Sequence, residues 1–130
     1  MNYEKLEIYF DENKFSELLA VYKDDLESAD QYANLFSNNA LVSPGECQEA
    51  LTVLTGLYMK FNTIYHIADY QYKKKEQISK ASTGDKESLM TTACYRIKMI
   101  FKAYCDNTKK AISVSQSMLK YYAKELELTR

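Results

Sequence analysis

Apolar residues recur along this chain at steps of three and four, over stretches long enough to predict a protein built almost wholly of helix. From about Asn13, the residues Phe15, Leu18, Leu19, Tyr22, Leu26, Ala29, Ala33 and Phe36 keep that period, while Glu17, Lys23, Asp24, Glu27 and Asp30 fall between them. One amphipathic helix is therefore expected over residues 13–38. Ser37-Asn38-Asn39 is its expected stop, because short polar side chains compete for the backbone and asparagine tolerates a left-handed cap. Ahead of it, Leu6, Ile8 and Phe10 alternate with Glu7 and Tyr9. That two-residue period fits a weak strand or an extended arm over residues 1–12.

The clearest local signal follows. Ser43-Pro44-Gly45-Glu46 places a serine at an N-cap, a proline at the first helical position and a glutamate at the third. The serine hydroxyl can accept the amide of residue 46, and the glutamate can reach back to the amide of residue 43. An apolar stripe then runs through Leu51, Leu54, Leu57, Tyr58, Phe61, Ile64, Tyr65, Ala68 and Tyr72, predicting a helix over 43–81. Gly56 lies inside it and costs up to ~1 kcal/mol relative to alanine, a cost expected to reflect a close helix crossing. After Ser82-Thr83-Gly84-Asp85, where Thr83 or Asp85 can cap, a third stripe runs from Leu89 to Leu126. Asp106-Asn107-Thr108 could interrupt it, but the stripe resumes in phase, so one helix over 86–128 is expected. The fold class is all-α, a single domain over 1–130: a short N-terminal helix packed on a long antiparallel helical hairpin, oligomeric because so long a hairpin has too little mass around it.

Composition narrows the chemistry. The 130 residues include three glycines, one proline, twelve tyrosines and no tryptophan. No run of ~18 apolar residues occurs, so no membrane span is expected. The first ten residues lack a basic region followed by an apolar stretch, so no signal peptide is expected either. Cys47, Cys94 and Cys105 are odd in number and lack Cys-x-x-Cys spacing, which fits reduced thiols near a core. A cytoplasmic protein is predicted, the cytoplasm of an infected bacterial host included. His66 is the lone histidine and stands among Tyr65, Ile67 and Ala68, as a half-buried helical residue would. With no glycine-rich phosphate loop, serine elbow or metal-ligand spacing in the sequence, no catalytic residue, metal or cofactor is expected, and the chain is not read as an enzyme.

Charge is segregated. Residues 1–56 carry three lysines against eleven acids, a net of −8, and residues 57–130 carry fourteen cations against seven acids, a net of +7. Such asymmetry points to a polyanionic partner or to self-assembly. Tyr70 and Tyr72 lead into Lys73-Lys74-Lys75, with Lys80 beyond. If the hairpin turns near Thr83, residue 70 faces about residue 96 and residue 68 about residue 98. Arg96, Lys98 and Lys102 then lie alongside. Lysines that neutralise phosphates and tyrosines that stack on any base are what sequence-tolerant single-strand binding needs. These nine residues form the candidate nucleic-acid site, with Lys86 at its edge. The competing explanation is a solvated helix end whose lysines oppose the macrodipole. In the acidic half, Asp24, Asp25, Glu27 and Asp30 are the candidate protein-interaction residues, offered to a basic partner or to the basic region of another copy.

The layout resembles the small recombination-mediator proteins of tailed phages, the UvsY type. The likeness spans roughly residues 14–126: an N-terminal helix, a long hairpin with lysines and tyrosines at its centre, and an aromatic, serine-bearing last helix from Tyr104 to Tyr122. Its nearest segments are 65–80 and Lys109 to Lys120. This chain departs from the type in its overall charge of −1 and in the absence of tryptophan. The resemblance implies a phage-encoded homo-oligomer that binds single-stranded DNA and helps load a recombinase onto strands coated by single-strand-binding protein. The alternative is a protein-only interaction or assembly module, structural or anti-defence, acting through its acidic half.

Overall fold

The structure, a computed structural model, describes residues 2–37, 42–81 and 85–128. Of these, 94% lie in five α-helices, and there is no strand among them. The helices are α1 (Tyr3–Asp11), α2 (Phe15–Val21), α3 (Lys23–Ser37), α4 (Pro44–Ala81) and α5 (Asp85–Leu128). The two long ones pack against each other as a hairpin, and the three short ones lie against it.

The cap of α4 forms as its sequence dictates. Ser43 Oγ accepts from the Glu46 amide at 3.2 Å, while Glu46 Oε1 accepts from the Ser43 amide at 3.4 Å. Along α4 the buried positions are Cys47, Ala50, Leu54, Leu57, Phe61, Ile64, Ala68 and Gln71. Their steps alternate three and four throughout, which is the heptad spacing of helices that coil around each other. The answering positions of α5 are Cys94, Phe101, Thr108 and Ser115, each seven residues after the last. Cross-hairpin bonds fix the register. Cys94 Sγ donates to the Ala68 carbonyl at 3.8 Å, and Ser115 Oγ donates to the Cys47 carbonyl at 2.7 Å. Thr91 Oγ1 donates to the Lys75 carbonyl at 3.3 Å, within a turn of the expected alignment. α5 runs unbroken through Asp106-Asn107-Thr108. The Thr108 hydroxyl donates to the Tyr104 carbonyl one turn back, which satisfies it without breaking the helix.

Two expectations fail in the N-terminal third. Residues 2–12 are neither strand nor arm. Asn2 caps α1 by accepting from the Lys5 amide, and Leu6 and Phe10, four apart, drive into the core. Nor is 13–38 one helix. Asn13 adopts a φ of 58°, a left-handed conformation that asparagine tolerates, and reverses the chain after α1. A second break falls at Tyr22, whose ring meets Phe101 edge-on at 6.2 Å, and α3 restarts with Asp24 and Asp25 in its first turn, where the helix dipole favours acids. Leu6, Phe10, Leu18 and Ala29 join Leu57, Phe61, Ile64, Cys94 and Phe101 in one core. Gly56 is exposed, and a methyl group there would meet nothing within 4 Å, so it marks no close crossing. The stop at Asn38-Asn39 and the turn at 82–84 lie outside the described residues.

Candidate nucleic-acid interface

Three consecutive lysines on a helix point in three directions, about 100° apart. Lys73 turns to Asp69 and bonds it at 3.0 Å. Lys74 points outward and is exposed. Lys75 is half-buried toward Asp11 of α1 and Cys94 of α5, and burial pulls its ammonium below the ordinary lysine value. The predicted patch therefore divides on α4 itself.

The same geometry separates the tyrosines. Residues two apart on a helix face about 200° away from each other. Tyr70 stands 66% exposed, whereas Tyr72 is half-buried on the flank that meets α5. Tyr72 bonds Glu76 through its hydroxyl, which pushes the phenol above its ordinary value, and its ring lies 5.3 Å from that of Tyr95. Lys98 enters this cluster from α5. Its ammonium reaches Asp69 at 3.0 Å and sits 5.0 Å from the Tyr72 ring centroid and 5.8 Å from that of Tyr95. With its side chain only 16% exposed, Lys98 is a structural cation. Lys80 bonds Glu76 at 3.0 Å. Of the nine candidates, Tyr70, Lys73, Lys74, Lys80, Arg96 and Lys102 stand exposed; Lys73 and Lys80 are paired with acids, and among the described residues no ion pair engages Lys74, Arg96 or Lys102. The Lys86 side chain lies outside the described part.

What the sequence reading passed over is the length of the basic surface. Arg96, Lys102, Lys109, Lys110, Lys120 and Lys124 are all exposed and share the outer side of α5: Arg96, Lys110 and Lys124 recur fourteen residues apart, and Lys102 and Lys109, seven apart, stand about 100° round the helix from them. No ion pair among the described residues engages any of the six. Between Ser88 and Lys124 the one acid is Asp106. The track is about 42 Å long at 1.5 Å per residue. Tyr95 stands exposed at one end and Tyr121 at the other, and Ser113, Gln116 and Ser117 are exposed between the cations. The seven-residue period that marks the apolar seam, applied to the charges, would have found it.

The acidic candidates are largely engaged within the fold. Asp25 meets Lys60 at 3.4 Å and ties α3 to α4; Asp30 accepts from the Tyr104 hydroxyl at 2.8 Å and ties α3 to α5. Burial, with the Asp30 bond, pushes that phenol up to about 12. Asp24 and Glu27 remain exposed, Glu27 with Lys23 at 3.9 Å.

All three cysteines are buried and free, with burial pushing Cys94 and Cys105 up to about 11. His66 is exposed rather than half-buried, its ring 5.2 Å from that of Tyr65. Among the described residues no group of three or more His, Cys, Asp or Glu could hold a metal ion, and no helix is long and apolar enough to cross a membrane. No family model, curated protein or solved structure matches this chain.

Proposed function

We propose that this protein binds single-stranded nucleic acid along the outer face of α5, as an accessory factor in recombination or replication. One observation carries the reading: six exposed cations spread over about 42 Å of the outer side of α5, with a single acid among them. A row of this kind neutralises successive phosphates of one flexible strand and releases their counterions. Exposed tyrosines at the two ends of the row supply sequence-tolerant stacking. The layout shared with recombination mediators suggests the role, assisting a recombinase on strands coated by single-strand-binding protein. A protein-only role through the acidic helices has less support, because Asp25 and Asp30 already hold α3 in place.

The test is fluorescence anisotropy of a labelled single-stranded oligonucleotide across a salt series. Wild-type affinity should fall steeply with salt, and replacing Arg96, Lys102, Lys109 and Lys110 by alanine should flatten the log–log slope by roughly 0.7 per lost contact. Tyr95→Ala should weaken binding by about 1–3 kcal/mol at unchanged slope. Lys98→Ala should act on folding instead. Absence of salt-sensitive binding, or a fourfold variant that binds like wild type, would overturn the proposal.

A further inference from the structure

Cations alone do not choose a single strand. Duplex DNA carries one charge per ~1.7 Å of its axis, about twice the density of either strand, so a basic row by itself favours duplex. What separates the two is an unpaired base, which needs an apolar seat beside the phosphates. The outer side of α5 holds such a seat. Ser113, Val114, Ser117, Met118, Tyr121 and Tyr122 line a shallow groove of about 450 Å³. Ser113 and Val114 also line the neighbouring concavity with Lys109 and Lys110, so the groove opens onto the cations. Val114 and Tyr121 follow Lys110 and Ser117 by four residues, a turn further on and about 40° round the helix. Val114 is 42% exposed and Tyr121 60%. The Tyr121 ring is held in place: its hydroxyl bonds Glu125, and the ring meets that of Tyr122 edge-on at 5.9 Å.

Resting on the nucleic-acid reading above, we propose that this groove seats an unpaired base and is what selects single-stranded nucleic acid over duplex. The setting decides the occupant. Lys109 and Lys110 stand at one end of the groove and Lys120 and Lys124 at the other, none of them in an ion pair among the described residues. An apolar body that arrives attached to phosphates is a nucleobase or a lipid. A lipid surface is broad and takes up a helix by a continuous apolar face. Here Val114 and Tyr121 stand apart, with the exposed polar residues Ser113 and Ser117 beside them. A base is flat and narrow, stacks on an aromatic ring, and carries polar edges that hydroxyls can meet. Phosphates on the lysines then flank a base laid against Tyr121 and Val114. In a duplex the bases are stacked inside, out of reach of the groove.

Fluorescence anisotropy of the full chain with three probes of one length tests this: oligothymidylate, the same strand made abasic, and a duplex. At one salt concentration wild type should bind thymidylate about fivefold or more tighter than the abasic strand, and tighter than duplex. Tyr121→Ala should lower thymidylate affinity about fivefold or more and leave the abasic strand, the duplex and the salt slope unchanged. Val114→Ser should act in the same direction, and Tyr121→Phe, which keeps the ring, should behave as wild type. Both positions are exposed, so the thermal melt by circular dichroism should hold. Wild type that binds none of the three probes would sink the nucleic-acid reading itself and the groove with it. Equal affinity for thymidylate and abasic strands, a preference for duplex, or thymidylate binding indifferent to Tyr121→Ala would overturn the seat and leave the track standing. Phosphatidylglycerol vesicles that hold wild type and release Tyr121→Ala would give the groove to a lipid surface, and would overturn the proposal too.

Discussion

Lys98 illustrates how a basic residue can be taken up by a fold. Held by Asp69 and flanked by two tyrosine rings, it fixes α5 against α4 and has little surface left for a phosphate. Hydrogen bonds from Lys98 and then Lys73 hold the Asp69 carboxyl below its ordinary value, and the bond to Asp69 holds the Lys98 ammonium above its own. The signs decide the pH window. A depressed carboxyl stabilises the fold fully above the unfolded value of about 3.9 and loses that contribution as pH falls through the lower folded value. A raised ammonium contributes fully below about 10.4 and loses its contribution as pH rises through the folded value. Asp69→Asn should therefore lower stability at neutral pH and flatten the acid limb that wild type shows below about pH 4. Urea unfolding at stepped pH reads this directly. A variant whose acid limb parallels that of wild type would show that the pair adds nothing to stability.

At the scale of elements, Gly56 offers the sharpest check. It sits in mid-helix, exposed, with open space where a methyl group would go, so only its backbone entropy matters. Gly56→Ala should raise unfolding free energy by up to ~1 kcal/mol, measured by denaturant midpoint at constant slope. A loss would mean that α4 bends or is crowded there. The helices that strong local rules specify were legible in the sequence: the box at Ser43-Pro44-Gly45-Glu46 starts α4 within a residue, and the in-phase stripe carries α5 through Asp106. The boundary at Asn13 was expected, though between an arm and a helix and not between two helices; the break at Tyr22 was not, because it sits inside an apolar period that continues across it. Only packing against Phe101 and the core reveals that the chain turns. A local clue did exist in Asp24-Asp25, an acidic pair suited to a helix start. The candidate site was half legible for a related reason. Sequence places Lys73, Lys74 and Lys75 side by side, but helix geometry sends them to an acid, to solvent and to the interior.

The whole molecule is longer than a chain of this size needs to be. α5 alone has 44 residues and spans about 66 Å. A compact domain of 130 residues has a radius of gyration of about 14 Å. A rod as long as α5 contributes roughly 19 Å from its length alone. Small-angle scattering on dilute protein should accordingly give about 19–20 Å, with a largest dimension near or above the 66 Å span of α5. The value bears on function, because the six cations share one side of the molecule only while α5 is straight. Placed on a bent or refolded hairpin, Arg96 and Lys124 would serve different surfaces, and one strand could not follow both. A radius near 14 Å would therefore remove the track along with the rod.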